Sequence, residues 1–116
     1  MPRVLVVDDE PDIRFLIRHI LELGGHSVTE APNGSVALAR ILESPPDLVV
    51  TDVMMPIMDG AELIRRLRAD PRTAHLPILA VSGNPLNAGA ADAVLSKPFS
   101  PRELAAVAAS LLTVGV

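Results

Sequence analysis

Short apolar runs alternate with amphipathic segments from one end of the chain to the other. Arg3–Val7, His26–Ala31 (centred on Val28), Leu48–Val50, Pro77–Ser82 and Asp92–Ser96 are runs of strand length, rich in Val, Ile and Leu. Between them the apolar residues recur at helical spacing. Ile13, Leu16, Ile17, Ile20 and Leu21 follow Pro11, which suits a first helical turn because its missing N–H costs nothing there. Gly24-Gly25 can end that helix. Val36, Leu38, Ala39, Ile41 and Leu42 predict a second helix, entered through Asn33-Gly34 and stopped by Pro45-Pro46. Leu63, Ile64 and Leu67 predict a third, ended by Pro71. Ser100-Pro101-Arg102-Glu103 is a capping box with Pro at the first helical position. Leu104, Val107, Ala108, Leu111 and Leu112 supply the stripe of that last helix.

Strand and helix therefore alternate with short connections, the signature of a parallel sheet covered by helices on both faces. No internal repeat, low-complexity segment or linker interrupts the pattern. The 116 residues read as one domain, 1–116, long enough to bury its own core. That core must be aliphatic, because Phe15 and Phe99 are the only aromatic residues. His19, His26 and His75 share no spacing and read as surface residues.

Composition narrows the function classes. Ten basic residues against fourteen acidic give a net charge of −4, and no basic run stands out. That argues against nucleic acid as a direct partner, since neutralising phosphates needs clustered Lys and Arg. The absence of Cys removes disulfides, thiolate nucleophiles and zinc–thiolate sites. The apolar runs are too short to span a bilayer, and the amino terminus turns acidic too early for a signal peptide. The expectation is a soluble, cytoplasmic domain.

The candidate chemistry stands where strands end. In a parallel sheet all strand ends of one polarity lie along one edge. Asp8 and Asp9 end the first strand, Asp52 the third, Ser82 the fourth and Lys97 the fifth. If the first and third strands are neighbours, three carboxylates meet there, and each raises the others' cost of ionising. A hard divalent cation would relieve that repulsion, and oxygen donors are what Mg²⁺ accepts. Taken singly these residues have plainer readings, as helix caps, strand ends or a solvated lysine. Met54, Met55 and Met58 read as loop packing, thioether being a poor ligand for Mg²⁺.

VLVVDDE, TDVMMPIMDG, AVSG and LSKPF, in this order, resemble the receiver domain of two-component response regulators over nearly the whole chain. The resemblance implies a flavodoxin-like fold with strand order 2-1-3-4-5 and a ligand crevice between the first and third strands. It makes Asp52 the phosphoacceptor, supplied by a sensor histidine kinase or a histidine phosphotransfer domain, with a downstream protein effector. Asp8, Asp9, Asp52 and the backbone carbonyl of Met54 would hold Mg²⁺. Lys97 would pair with Asp52 and then with a phosphoryl oxygen, Ser82 would bond another, and Gly83 leaves room beside it. The SKPF match implies a cis Lys97–Pro98 peptide. Such a domain is a switch and not an enzyme beyond phosphorylating and dephosphorylating itself.

Two rival classes are weaker. A haloacid-dehalogenase-type phosphohydrolase would want a second Asp two residues after the nucleophile, where this chain has Met54, and a cap domain it lacks room for. A receiver-like binding module working without phosphorylation would typically have lost one of the acidic, hydroxyl or lysine positions, all retained here. No GxxxxGK[ST] loop points to ATP as donor. The chain also departs from the receiver pattern. Val94 stands three positions before Lys97, where an aromatic residue or His is usual. Only the nine residues Gly83–Ala91 separate the fourth and fifth strands, about 14 Å even if wholly helical, so the fourth helix is expected to be shortened or absent.

Overall fold

The computed structural model describes residues 1–55, 57–83 and 89–114. Five parallel strands, β1 (Arg3–Val7), β2 (Ser27–Ala31), β3 (Leu48–Asp52), β4 (Ile78–Ser82) and β5 (Ala93–Ser96), form one sheet in the order β2-β1-β3-β4-β5. The described helices are α1 (Pro11–Leu23), α2 (Gly34–Glu43), α3 (Gly60–Ala69) and α4 (Pro101–Val114). This is the flavodoxin-like architecture, with β1 and β3 adjacent and Val7 paired to Thr51. β3 and β4, being central, are buried along their whole length, which is why they read as unbroken apolar runs.

The sheet separates two aliphatic cores. Leu5, Val7, Val49, Ile78 and Ala80 face α2 and α3, which contribute Ala37, Ile41, Leu63, Ile64 and Leu67. Val4, Val6, Leu48, Val50, Leu79 and Val81 face α1 and α4, which contribute Ile17, Ile20, Leu21, Leu104 and Ala108. The alternation follows directly from the two-residue period of a strand.

Local chemistry sets the helix ends. Glu10 precedes Pro11 at the start of α1 without a side-chain cap. Asn33 and Asp59 cap α2 and α3, accepting from the N–H of Val36 at 2.9 Å and of Glu62 at 2.8 Å. The expected capping box opens α4. Ser100 Oγ accepts from the Glu103 N–H at 3.0 Å, and Glu103 Oε1 accepts from the Ser100 N–H at 3.2 Å.

Two expectations change. Leu16 is 44% exposed and Phe15 67%, because the inward stripe of α1 runs through Ile17, Ile20 and Leu21, with Leu16 a full 100° step away from Ile17. Phe15 lies parallel to the His19 ring at 6.4 Å between centroids. His26 is not a surface residue. It is half-buried after the turn at Gly24-Gly25, and its Nδ1 is buried without a hydrogen-bond partner. Of the β4–β5 connection, Gly83 is a bend and Gly89-Ala90 a turn. The expected shortening of a helix there falls largely on residues 84–88, outside the described residues.

The far end of that connection is clamped by one arginine. Arg68, near the end of α3, donates to the carbonyls of Ala90 (3.2 Å), Ala74 (2.9 Å) and Leu76 (2.7 Å), and to Asp92 Oδ2 (2.7 Å). The same Asp92 oxygen accepts the Ile78 N–H at 2.7 Å. Replacing Arg68 with Ala strands several acceptors at once and should cost about 2 kcal/mol of stability in urea unfolding. Arg68→Lys should recover only part, because an ammonium lacks the planar fork that spans these partners. A full recovery by Lys would show that charge alone matters.

Candidate functional site

The carboxyl ends of β1, β3, β4 and β5 converge on one patch. Asp8, one residue beyond β1, is buried, Asp9 half-buried, and Asp52, the last residue of β3, buried. One carboxylate oxygen from each lies within 4.8 Å of the others. The strand register makes this possible, because β1 and β3 are hydrogen-bonded neighbours that stop within a residue of each other. Lys97, just past β5, brings Nζ to 3.1 Å from Asp52 Oδ1. Its backbone N–H donates to the Ser82 carbonyl at 2.9 Å, and the Lys97–Pro98 peptide is cis. Ser82 ends β4 and is buried, and a Cβ built on Gly83 would meet nothing within 4 Å. The five expected side chains are thus gathered at one edge of the sheet.

Met54 stands two residues past Asp52 with its side chain 69% exposed, so it is not loop packing as expected. Met55 and Met58 do pack against the α2–α3 core. Pro56 lies outside the described residues. Ile57 has φ +72°, in the left-handed region, with its side chain 84% exposed. A β-branched residue rarely adopts that conformation. Gly60 opens α3 directly under the site. A Cβ there would lie 2.2 Å from the Asp52 carbonyl oxygen and 2.8 Å from Val53 Cα. Clefts of about 200 Å³ beside Arg3 and Arg40, and about 490 Å³ beside His75 and Leu112, open near the amino ends of the strands, away from the acidic patch.

Oxygen is the only donor atom that the three aspartates offer, which suits a hard divalent cation. Asp8 Oδ1 accepts the Glu10 N–H at 2.9 Å, whereas Asp8 Oδ2 is buried with no hydrogen-bond partner. An orphaned, buried carboxylate oxygen beside two more carboxylates fits a metal ligand, and the oxygen donors are of the kind that Mg²⁺, Ca²⁺ and Mn²⁺ accept.

Burial pushes the Asp8 carboxyl up to about 6; the Glu10 N–H pulls it down, and the Asp52 charge adds to the rise. Unfolded, the group titrates near 3.8. Between those values the folded chain keeps a proton that the unfolded chain has lost. Asp8 therefore favours folding fully below about pH 4, and that contribution disappears as pH rises through 6. In metal-free buffer, unfolding free energy should fall by roughly 2 kcal/mol between pH 4 and 7 relative to an Asp8→Asn variant. Parallel pH profiles for the two proteins would contradict this.

Reading the sequence missed one participant, Arg14 on α1, whose guanidinium reaches the Asp8 carbonyl at 2.8 Å. No spacing rule announces a side chain that bonds a main-chain oxygen of another element.

The fold thus sets three aspartates, a serine and a lysine at the carboxyl ends of its strands. Residues 4–109 match the model of the family described as "Response regulator receiver domain". The chain belongs to that family. It is 38% identical to the sensor histidine kinase TmoS of Ectopseudomonas mendocina over 99% of this chain and 12% of the kinase. It is 41% identical to the phosphate regulon transcriptional regulatory protein PhoB of Pseudomonas aeruginosa, over 89% of this chain and 48% of that regulator. The chain thus spans half or less of these two relatives. Among solved structures, the chemotaxis response regulator CheY4 of Vibrio cholerae superposes with a TM-score of 0.88 at 32% identity, covering 96% and 98% of the two chains. The receiver domain of a signal transduction histidine kinase from Syntrophus aciditrophicus gives 0.91 at 30%, covering 98% and 92%. Among the described residues no helix is long and apolar enough to cross a membrane.

Proposed function

We propose that Asp52 is the phosphoacceptor of this receiver domain, taking its phosphoryl group from the phosphohistidine of a sensor histidine kinase or histidine phosphotransfer domain. The observation that carries the reading is the convergence of Asp8, Asp9 and Asp52 oxygens within 4.8 Å, with Lys97 Nζ 3.1 Å from Asp52. In the transfer an Asp52 carboxylate oxygen forms the new P–O bond as the P–N bond to the donor imidazole breaks. The released imidazole takes its proton from solvent. Asp52 needs no general base, because a carboxylate is ionised at neutral pH.

Asp8, Asp9 and Asp52, with the Met54 carbonyl, would hold Mg²⁺. When bound, the ion supplies neutralisation of charge on the phosphoryl oxygens. Lys97 addresses the same charge from the β5 side, leaving Asp52 for a phosphoryl oxygen once the carboxylate is phosphorylated. Ser82 supplies a hydroxyl from the end of β4. The same site would hydrolyse its own acyl phosphate, and the readout would pass to a downstream protein effector.

The test is direct. The protein is incubated with Mg²⁺ and a small phosphodonor, and the phosphate is located by intact mass and peptide mapping. One acid-labile phosphate on the peptide containing Asp52 is expected, lost when Mg²⁺ is chelated. Labelling of another residue, or none in Mg²⁺, would overturn the assignment, and steady turnover of phosphate esters would favour a hydrolase.

A further inference from the structure

The backbone of Asp8 is anchored from two neighbouring elements. Its N–H donates to the Ala31 carbonyl at the end of β2, at 3.2 Å. Its carbonyl accepts from Arg14 Nη1 of α1 at 2.8 Å. Arg14 is itself fixed, its Nε donating to Glu30 Oε1 of β2 at 2.8 Å. Glu30 is held from the other side by Arg18, whose Nη1 donates to Oε2 at 2.7 Å. The Arg14 side chain is only 19% exposed, so this is no loose surface pair.

The Asp8 carbonyl belongs to the peptide unit that joins Asp8 to Asp9. A peptide unit is planar, so fixing its oxygen fixes ψ of Asp8 and, with it, the positions of the Asp9 N and Cα atoms. With the Asp8 N–H held by Ala31 and its carbonyl by Arg14, the backbone point from which each of the two side chains departs is set. We propose that Arg14, locked by Glu30, is a positioning residue for the cation site, holding the Asp8–Asp9 peptide so that both carboxylates face Asp52. The inference rests on the Mg²⁺ reading above.

Electrostatics and positioning predict opposite signs here. A guanidinium near the aspartates repels a divalent cation, so its charge alone weakens Mg²⁺ binding and its removal would tighten it. Positioning acts the other way, because supporting groups behind metal ligands are worth about 10–100-fold in affinity. The sign of the change therefore separates the two.

The experiment is calorimetric titration of MgCl₂ into the metal-free chain at fixed ionic strength, with Asp9→Ala defining which binding belongs to the site. Arg14→Met keeps the apolar stem and removes every donor; its Mg²⁺ affinity should fall about tenfold. Arg14→Lys keeps the charge but cannot bridge Glu30 and the Asp8 carbonyl with one fork, and it should also bind more weakly than the parent. It serves as the second variant should Arg14→Met not fold. Melting temperatures without metal are recorded alongside. A merely structural arginine lowers these and leaves the Mg²⁺ affinity of the folded protein unchanged. Affinity equal to the parent's or tighter in the folded variants overturns the inference alone. A parent with no Asp9-dependent Mg²⁺ binding overturns the metal reading, and the inference with it.

Discussion

Asp52→Asn will fold and will take no acid-labile phosphate. Asn matches Asp in size and can sit at the end of β3 without disturbing its neighbours, yet its amide oxygen is not a nucleophile that can form an acyl phosphate. Labelling should drop from the parent's level to background, measured by intact mass after incubation with Mg²⁺ and a small phosphodonor. The neighbouring acids do not substitute. Asp8 is buried with a raised affinity for its proton, and neither Asp8 nor Asp9 has Lys97 Nζ within the 3.1 Å that Asp52 enjoys. Label persisting at full strength on the variant would place the acceptor elsewhere.

Gly60→Ala should be among the most damaging single changes in the chain. The added methyl would sit 2.2 Å from the Asp52 carbonyl oxygen and 2.8 Å from Val53 Cα. Both are backbone atoms, so no rotamer change can make room. Either α3 lifts off the sheet or β3 bends, and the Gly60 N–H bond to the Val53 carbonyl, now 2.8 Å, goes with it. A loss of about 4 kcal/mol is expected, near the top of the range for one substitution. Gly83→Ala is the control, since its methyl meets nothing within 4 Å and should change stability by less than about 0.5 kcal/mol. Urea unfolding of the two variants beside the parent checks the pair. A Gly60→Ala protein as stable as Gly83→Ala would mean that α3 is free to shift.

The two results bear on how much of this molecule can be read from its residues. Topology and site were legible together, because each site residue closes an apolar run and a parallel sheet brings such endings to one edge. The capping box at Ser100–Glu103 was legible because it is local. What escaped was long-range and irregular. Arg68 and Arg14 look like ordinary solvated charges on helices, and their partners lie 6 to 24 residues away in sequence. His26 was misjudged because burial after a Gly-Gly turn depends on how the turn folds back. Leu16 was misjudged because the apolar stretch on α1 is wider than the face the sheet can cover.

Ile57 has a consequence for the states that the segment after Asp52 can visit. With φ at +72° it occupies a conformation that costs an L-residue roughly 1–2 kcal/mol and glycine almost nothing. That cost is carried only while the segment keeps its present shape. Any alternative in which φ turns negative is brought nearer in free energy by the same amount. About 1 kcal/mol multiplies a two-state ratio about fivefold. Ile57 therefore starts closer to a form with negative φ than a glycine at this position would, and a smaller push suffices to populate that form.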